Sequence, residues 1–324
     1  MVHAPDSAEV PESAEPTSHP REQSRAAYPR TSAIVEREGG RIAYEIYGEG
    51  DPPIVFVPPW QIVHSRVYKA QIPDFARRHL VIAWDNRGNG RSDRPLDPMA
   101  HTTLERASNL EAVMDAAAVD AAVLVGLSSA SGPMIVFTDR HPERVLGLVF
   151  LCPATPFGEP SRGGVNVSFD DPLPDADGWN KENIFFWRRD YPAYLEFFFE
   201  EAFPEAHSTK QREDAVGYGL DTDVETLAQT QRTPPTLDLQ SVTRICAAIH
   251  APTLVIQGTD ERISHVSQGV GLAQVIPGAR LELIEGGGHI VNARDPVRVN
   301  LLIRDFVRSL PSRQVGEPSV GGSG

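Results

Sequence analysis

From Thr31 onward, apolar residues come in short dense runs separated by longer mixed segments. TSAIVEREGG and RIAYEIYGEG read as two strands joined by a Gly-Gly turn. PPIVFV, HLVIAW, AAVLVG, VLGLVFL, PTLVIQ and ARLELI are short runs rich in Val, Ile and Leu. Such runs suit strands covered on both faces, as in a parallel sheet. Between them lie helix-length segments: SRVYKAQIPDFARR, TLERASNLEAVMDAAAV, HVSQGVGLAQVI and DPVRVNLLIRDFVRSL. In the last, Val297, Leu301, Ile303 and Phe306 are expected to share one helical stripe. The alternation predicts an α/β fold, a doubly wound and mostly parallel eight-stranded sheet.

The pattern breaks between about Pro156 and Gln240. No strand is expected there, and ten of the chain's 24 Phe, Trp and Tyr residues fall between Trp179 and Phe203. This predicts a helical cap insertion over one end of the sheet, with its own aromatic core. The expected organisation is a disordered tail over 1–30, a core of 31–155 and 241–310, a helical cap of 156–240, and a flexible tail over 311–324. Residues 1–30 contain no Leu, Ile, Phe or Trp, too little apolar surface to offset the entropy of ordering and no signal-peptide core.

Composition narrows the partners. The formal net charge of −14 repels phosphate backbones, which argues against nucleic acid. No run reaches the length of a membrane span. Cys152 and Cys246 each lie in apolar surroundings and read as buried free thiols. No His and carboxylate spacing suggests a metal. A cytoplasmic protein is expected, a monomer or homodimer that uses no cofactor and acts on a small molecule.

The stretch VLVGLSSASGP places three serines where a strand must turn into a helix. In a G-x-S-x-G turn the central serine sits at a strained backbone position, and the residues two before and two after must be small. Gly126-Leu127-Ser128-Ser129-Ala130 meets this with Ser128 central. Centring on Ser129 would put Leu127 at a small position, and Ser131 lies a turn into the helix. Ser128 is the candidate nucleophile.

VFVPPW, WDNRGNGRSDRP, GLSSASG, and the pair IQGTDERIS with IEGGGHI together resemble the α/β-hydrolase superfamily, in its serine-nucleophile, esterase-like branch. The resemblance runs from about Ile34 to Ser309. It implies the chain order nucleophile, acid, histidine, met here by Ser128, then Asp260 or Glu261, then His289. It also implies an oxyanion hole from the Ser129 amide and an amide in the loop after the third strand. Relatives often read His-Gly-X in that loop. Here it reads Pro58-Pro59-Trp60, and since proline has no N–H the register assigns the Trp60 amide. Counted from Gly258, the family's usual fourth-position acid is Glu261, which is favoured over Asp260. Asp85 and Arg87 fall in a turn that the family uses as scaffold. His64, and Phe186, Trp187 and Tyr191 of the aromatic block, are the candidate pocket-wall residues.

A serine at the elbow suits acyl chemistry through an acyl-enzyme. The expected reaction is cofactor-free hydrolysis of an ester, lactone or thioester bond in a small, fairly apolar molecule. The alternatives are an acyltransferase, cyclase or C–C hydrolase on the same residues, and a small-molecule sensor that retained the fold.

Overall fold

The computed structural model describes residues 26–160, 168–172, 176–235 and 237–311. The expectations for 1–25 and 312–324 lie outside the described residues. β1 (Thr31–Arg37) and β2 (Gly40–Tyr47) form an antiparallel hairpin. Six further strands follow: β3 (Ile54–Val57), β4 (Val81–Trp84), β5 (Ala122–Leu127), β6 (Val145–Leu151), β7 (Thr253–Gly258) and β8 (Arg280–Ile284). The sheet order is β1-β2-β4-β3-β5-β6-β7-β8, antiparallel at the β1–β2 and β2–β4 pairs and parallel elsewhere.

The apolar runs of β3 to β7 are almost wholly buried because each of these strands feeds two cores, whereas β8, at the sheet edge, is partly exposed. Ile54 and Phe56 of β3 face one side, while Val55 and Val57 face the other. The second face is covered by α2 (Thr103–Ala116), α3 (Ser131–Arg140), α7 (Leu239–Ala247) and α8 (Val266–Val275). The first is covered by α1 (Ile72–Phe75) and α10 (Pro296–Ser309). Cys152 and Cys246 are buried free thiols.

Two local expectations fail. Residues 65–78 do not form one helix. They give a short 3₁₀ turn over Ser65–Tyr68 and the single turn α1. Pro73 has no N–H to continue a helix from Lys69 and is accommodated only in the first turn of a new one, while Gln71 at the break donates to the Asn292 carbonyl at 2.9 Å and to Asn300 Oδ1 at 3.0 Å. The stripe of α10 is also different. Val299, Ile303, Phe306 and Val307 are buried, whereas Val297 and Leu301 are exposed. At about 100° per residue, Val297 lies roughly 120° around the helix from Ile303, too far to share its face.

Between β6 and β7 the described residues contain no strand. They form α4 (Ile184–Ala202), α5 (Thr209–Leu220), α6 (Val224–Gln231) and α7. Pro192 lies inside α4, where it removes a backbone donor and crowds the preceding turn. The helix kinks at Asp190 (φ −155°), whose carboxylate caps the second half by accepting from the Ala193 amide at 3.1 Å. Beyond the kink, Tyr194, Phe198 and Phe199 are buried together with Trp187. Trp60, from the loop after β3, meets Phe198 edge-to-face at 5.4 Å. The aromatic block is thus not a separate core as expected: its buried residues are continuous with the apolar cluster on one face of the sheet.

Candidate active site

β5 ends at Leu127, and a 3₁₀ turn over Ser128–Ala130 leads into α3. Ser128 has φ +55°, a left-handed conformation that costs a non-glycine residue energy and persists only when its surroundings enforce it. The enforcement is visible. The Ser128 carbonyl accepts from the Ala154 amide at 3.1 Å, and Ser131 Oγ donates to the Ala154 carbonyl at 2.6 Å. The need for a small residue two before the serine is equally concrete. A Cβ at Gly126 would lie 2.3 Å from Met134 Sδ and 2.8 Å from Ala130 Cβ. Gly126→Ala is therefore expected to destabilise the protein by about 1–3 kcal/mol, the usual cost of overpacking, measured by urea unfolding. An unchanged midpoint would mean that the helix can back away from the strand.

His289 follows Gly286-Gly287-Gly288 in the loop after β8 and is almost fully buried. Its Nδ1 lies 2.8 Å from Glu261 Oε2. Glu261 sits in the loop after β7 with its side chain wholly buried. Its other oxygen, Oε1, accepts from the amides of Ile263 at 2.7 Å and Ser264 at 3.0 Å. Two backbone donors fix the carboxylate so that the remaining oxygen faces the imidazole. Asp260 points elsewhere: its side chain is half exposed and lies 3.6 Å from Arg262. The His289 loop is itself fastened to the end of α4. The His289 amide donates to the Ala202 carbonyl at 3.0 Å, and the Gly288 amide donates to Glu205 Oε1 at 2.8 Å.

Ser128 and His289 line one cavity of about 440 Å³, together with Trp60, Ser129, Phe198 and Phe199. Trp60 Nε1 donates to Thr230 Oγ1 of α6 at 2.7 Å. The four expected wall residues do not line this cavity. His64 lies 3.1 Å from Asp221 through Nε2, and burial pulls its pKa down. Trp187 packs inside the insertion, Tyr191 donates to the Gly219 carbonyl at 3.2 Å, and Phe186 lies against Lys181 and Arg189. The aromatic block does supply wall residues, but they are Phe198 and Phe199, beyond the Pro192 kink. Ile62, Val63, Ile263 and Gln268 also line the cavity and had no signal in the sequence apart from lying near Trp60 and Glu261. Asp85 and Arg87 brace turns: Asp85 accepts from the Ser65 and Arg91 amides at 3.1 Å each, and Arg87 donates to Glu105 at 2.8 Å.

Comparison with known proteins bears on this geometry. The chain is 26% identical over 270 residues to a 2-hydroxymuconate semialdehyde hydrolase of Pseudomonas sp., covering 81% of this chain and 85% of the relative. It is 26% identical over 259 residues to a non-heme chloroperoxidase of Kitasatospora aureofaciens, covering 78% and 90%. Among solved structures, Est816, described as an N-acyl homoserine lactone degrading enzyme, superposes with a TM-score of 0.66 at 29% identity, covering 85% of this chain and all of the other. A family model described as the alpha/beta hydrolase fold matches residues 52–296, well over half of the chain. With that match and the strand order above, the chain belongs to the α/β-hydrolase family and is a hydrolase.

Proposed function

We propose that the protein is a serine hydrolase that cleaves an ester-type bond through an acyl-enzyme, with Ser128 as nucleophile, His289 as general base and Glu261 as orienting acid. The observation that carries this reading is the 2.8 Å approach of Glu261 to His289 on the cavity that also holds Ser128 at its strained turn. A serine hydroxyl is a weak nucleophile near neutral pH. His289 takes its proton through Nε2 as attack begins and returns it to the leaving group. Glu261 keeps the other proton on Nδ1 and stabilises the imidazolium. The amides of Ser129 and Trp60 stabilise the tetrahedral oxyanion, and water then resolves the acyl-enzyme.

The helices of 156–240 act as a cap that sets substrate choice. Phe198, Phe199, Ile62, Val63 and Ile263 beside the serine favour a small, fairly apolar ester or lactone. Each methylene that enters the pocket should improve kcat/KM about fourfold, equivalent to about 0.8 kcal/mol, until the pocket is full. A series of p-nitrophenyl esters measures this, and a flat or falling series would refute the apolar pocket. The 26% identity to a 2-hydroxymuconate semialdehyde hydrolase supports C–C hydrolysis by the same residues as a second reading. A fluorophosphonate probe tests the central assignment: label is expected on Ser128, and label on Ser129 or Ser131 would overturn it.

A further inference from the structure

The loop that carries the Trp60 amide begins Val57-Pro58-Pro59. Pro58 and Pro59 have no N–H to donate, so along these two residues the carbonyls are the main-chain handles. All three carbonyls, that of Val57 included, accept from buried side chains. Tyr68 Oη donates to the Val57 carbonyl at 2.7 Å. Arg106 Nη2 donates to the Pro58 and Pro59 carbonyls, each at 3.0 Å, and Asn86 Nδ2 donates to the Pro59 carbonyl at 2.7 Å.

Two of these side chains also hold the nucleophile elbow. Tyr68 Oη accepts from the Leu127 amide at 2.9 Å, one residue before Ser128. Arg106 Nη1 donates to Ser129 Oγ at 3.3 Å, one residue after it. Tyr68 is wholly buried and Arg106 is 7% exposed. Each therefore spans the gap between the two segments that bear the proposed oxyanion donors. We propose that Arg106 and Tyr68 are positioning residues that fix the separation and aim of the Trp60 and Ser129 amides. This rests on the reading of Ser128 as nucleophile given above.

The charge of Arg106 supports a role beyond packing. Among the described residues no carboxylate lies within ion-pairing distance of it, and its Nε has no partner. Burial lowers its pKa to about 10, so it stays cationic at neutral pH. An unneutralised buried guanidinium is costly to keep. Beside the elbow, its field favours the negative charge that develops on the substrate oxygen. Lysine would keep the charge but could not span three acceptors with one ammonium.

The test compares the parent with Arg106→Lys and Tyr68→Phe, using one p-nitrophenyl ester and an alkylboronic acid, which forms a tetrahedral adduct on a nucleophilic serine. Misplacing a donor by about 1 Å can cost on the order of 10²-fold. The expected result is a fall of that order in kcat for Arg106→Lys and a smaller fall for Tyr68→Phe. KM should change little, and the boronate inhibition constant should rise in step with the loss of kcat/KM. A purely structural role would lower the melting temperature and the folded fraction but leave the ratio of boronate constant to KM unchanged. That unchanged ratio in both variants would overturn the proposal. If Arg106→Lys does not fold, Tyr68→Phe, which removes one oxygen from an otherwise identical ring, decides alone. Ser128→Ala in the same assay keeps the two ideas apart. Activity surviving in it refutes the nucleophile assignment, whereas activity lost there but kept in both positioning variants refutes only the clamp.

Discussion

Ser128→Ala is expected to lower kcat by about 10⁶-fold, the scale seen when a triad nucleophile is removed. No neighbouring hydroxyl is placed to substitute. Ser129 Oγ accepts from Arg106 at 3.3 Å, and Ser131 Oγ is buried and committed to the Ala154 carbonyl at 2.6 Å. Alanine can take the same φ of +55° at a similar backbone cost, so the fold should survive. The oxyanion donors and the pocket would remain, leaving a residual rate of about 10³–10⁴-fold over water. The measurement pairs single-substrate kinetics with a melting curve. A loss of less than tenfold in a fully folded variant would remove Ser128 from the mechanism.

Glu261→Gln is expected to lower kcat by about 10⁴-fold, while Asp260→Asn changes it by less than about tenfold. The asymmetry follows from the two environments. The Ile263 and Ser264 amides both donate to Glu261 Oε1, so a glutamine there would turn its carbonyl oxygen toward them. Its NH₂ would then face His289 Nδ1 and donate to it. The imidazole would carry its proton on Nε2 instead, the tautomer that cannot accept a proton from the serine. Asp260 sits half in solvent beside Arg262, where an ion pair contributes about 0–1 kcal/mol. The two variants are nearly isosteric with the parent, so their kcat values can be compared directly. A collapse confined to Asp260→Asn would assign the orienting role to Asp260 and refute the present reading.

The strands and the elbow were legible because local physics decides them. A run such as AVLVGL can be apolar throughout only if both its faces are covered, and Gly126 is required by its close approach to Ala130 in the following turn and Met134 in α3, only four and eight residues on. The choice of Glu261 over Asp260 came from the family resemblance, whose fourth-position acid counted from Gly258 falls on Glu261. The pocket wall was not legible. Which aromatic residues face the cavity depends on the rotation of α4 beyond Pro192, and that rotation is set by packing against Trp60, more than a hundred residues earlier in the chain. Residues 65–78 failed for a local reason: Pro73 sits inside the segment, and the apolar spacing alone did not weigh it as a breaker. Val297 and Leu301 are apolar yet exposed, so the stripe of α10 could be found only by weighing angle against composition.

The bonds from the His289 amide to the Ala202 carbonyl and from the Gly288 amide to the Glu205 carboxylate bear on how such a protein could be re-engineered. The insertion between β6 and β7 looks like a module to be exchanged wholesale for a new specificity. Its last turn before α5, however, is stitched to the histidine loop. A graft cut at the ends of the insertion would import a foreign partner for that loop and could shift the imidazole while changing the pocket. Chimeras that retain Ala202 through Glu205 from the recipient should keep their turnover, and those that replace them should trade it for the new selectivity.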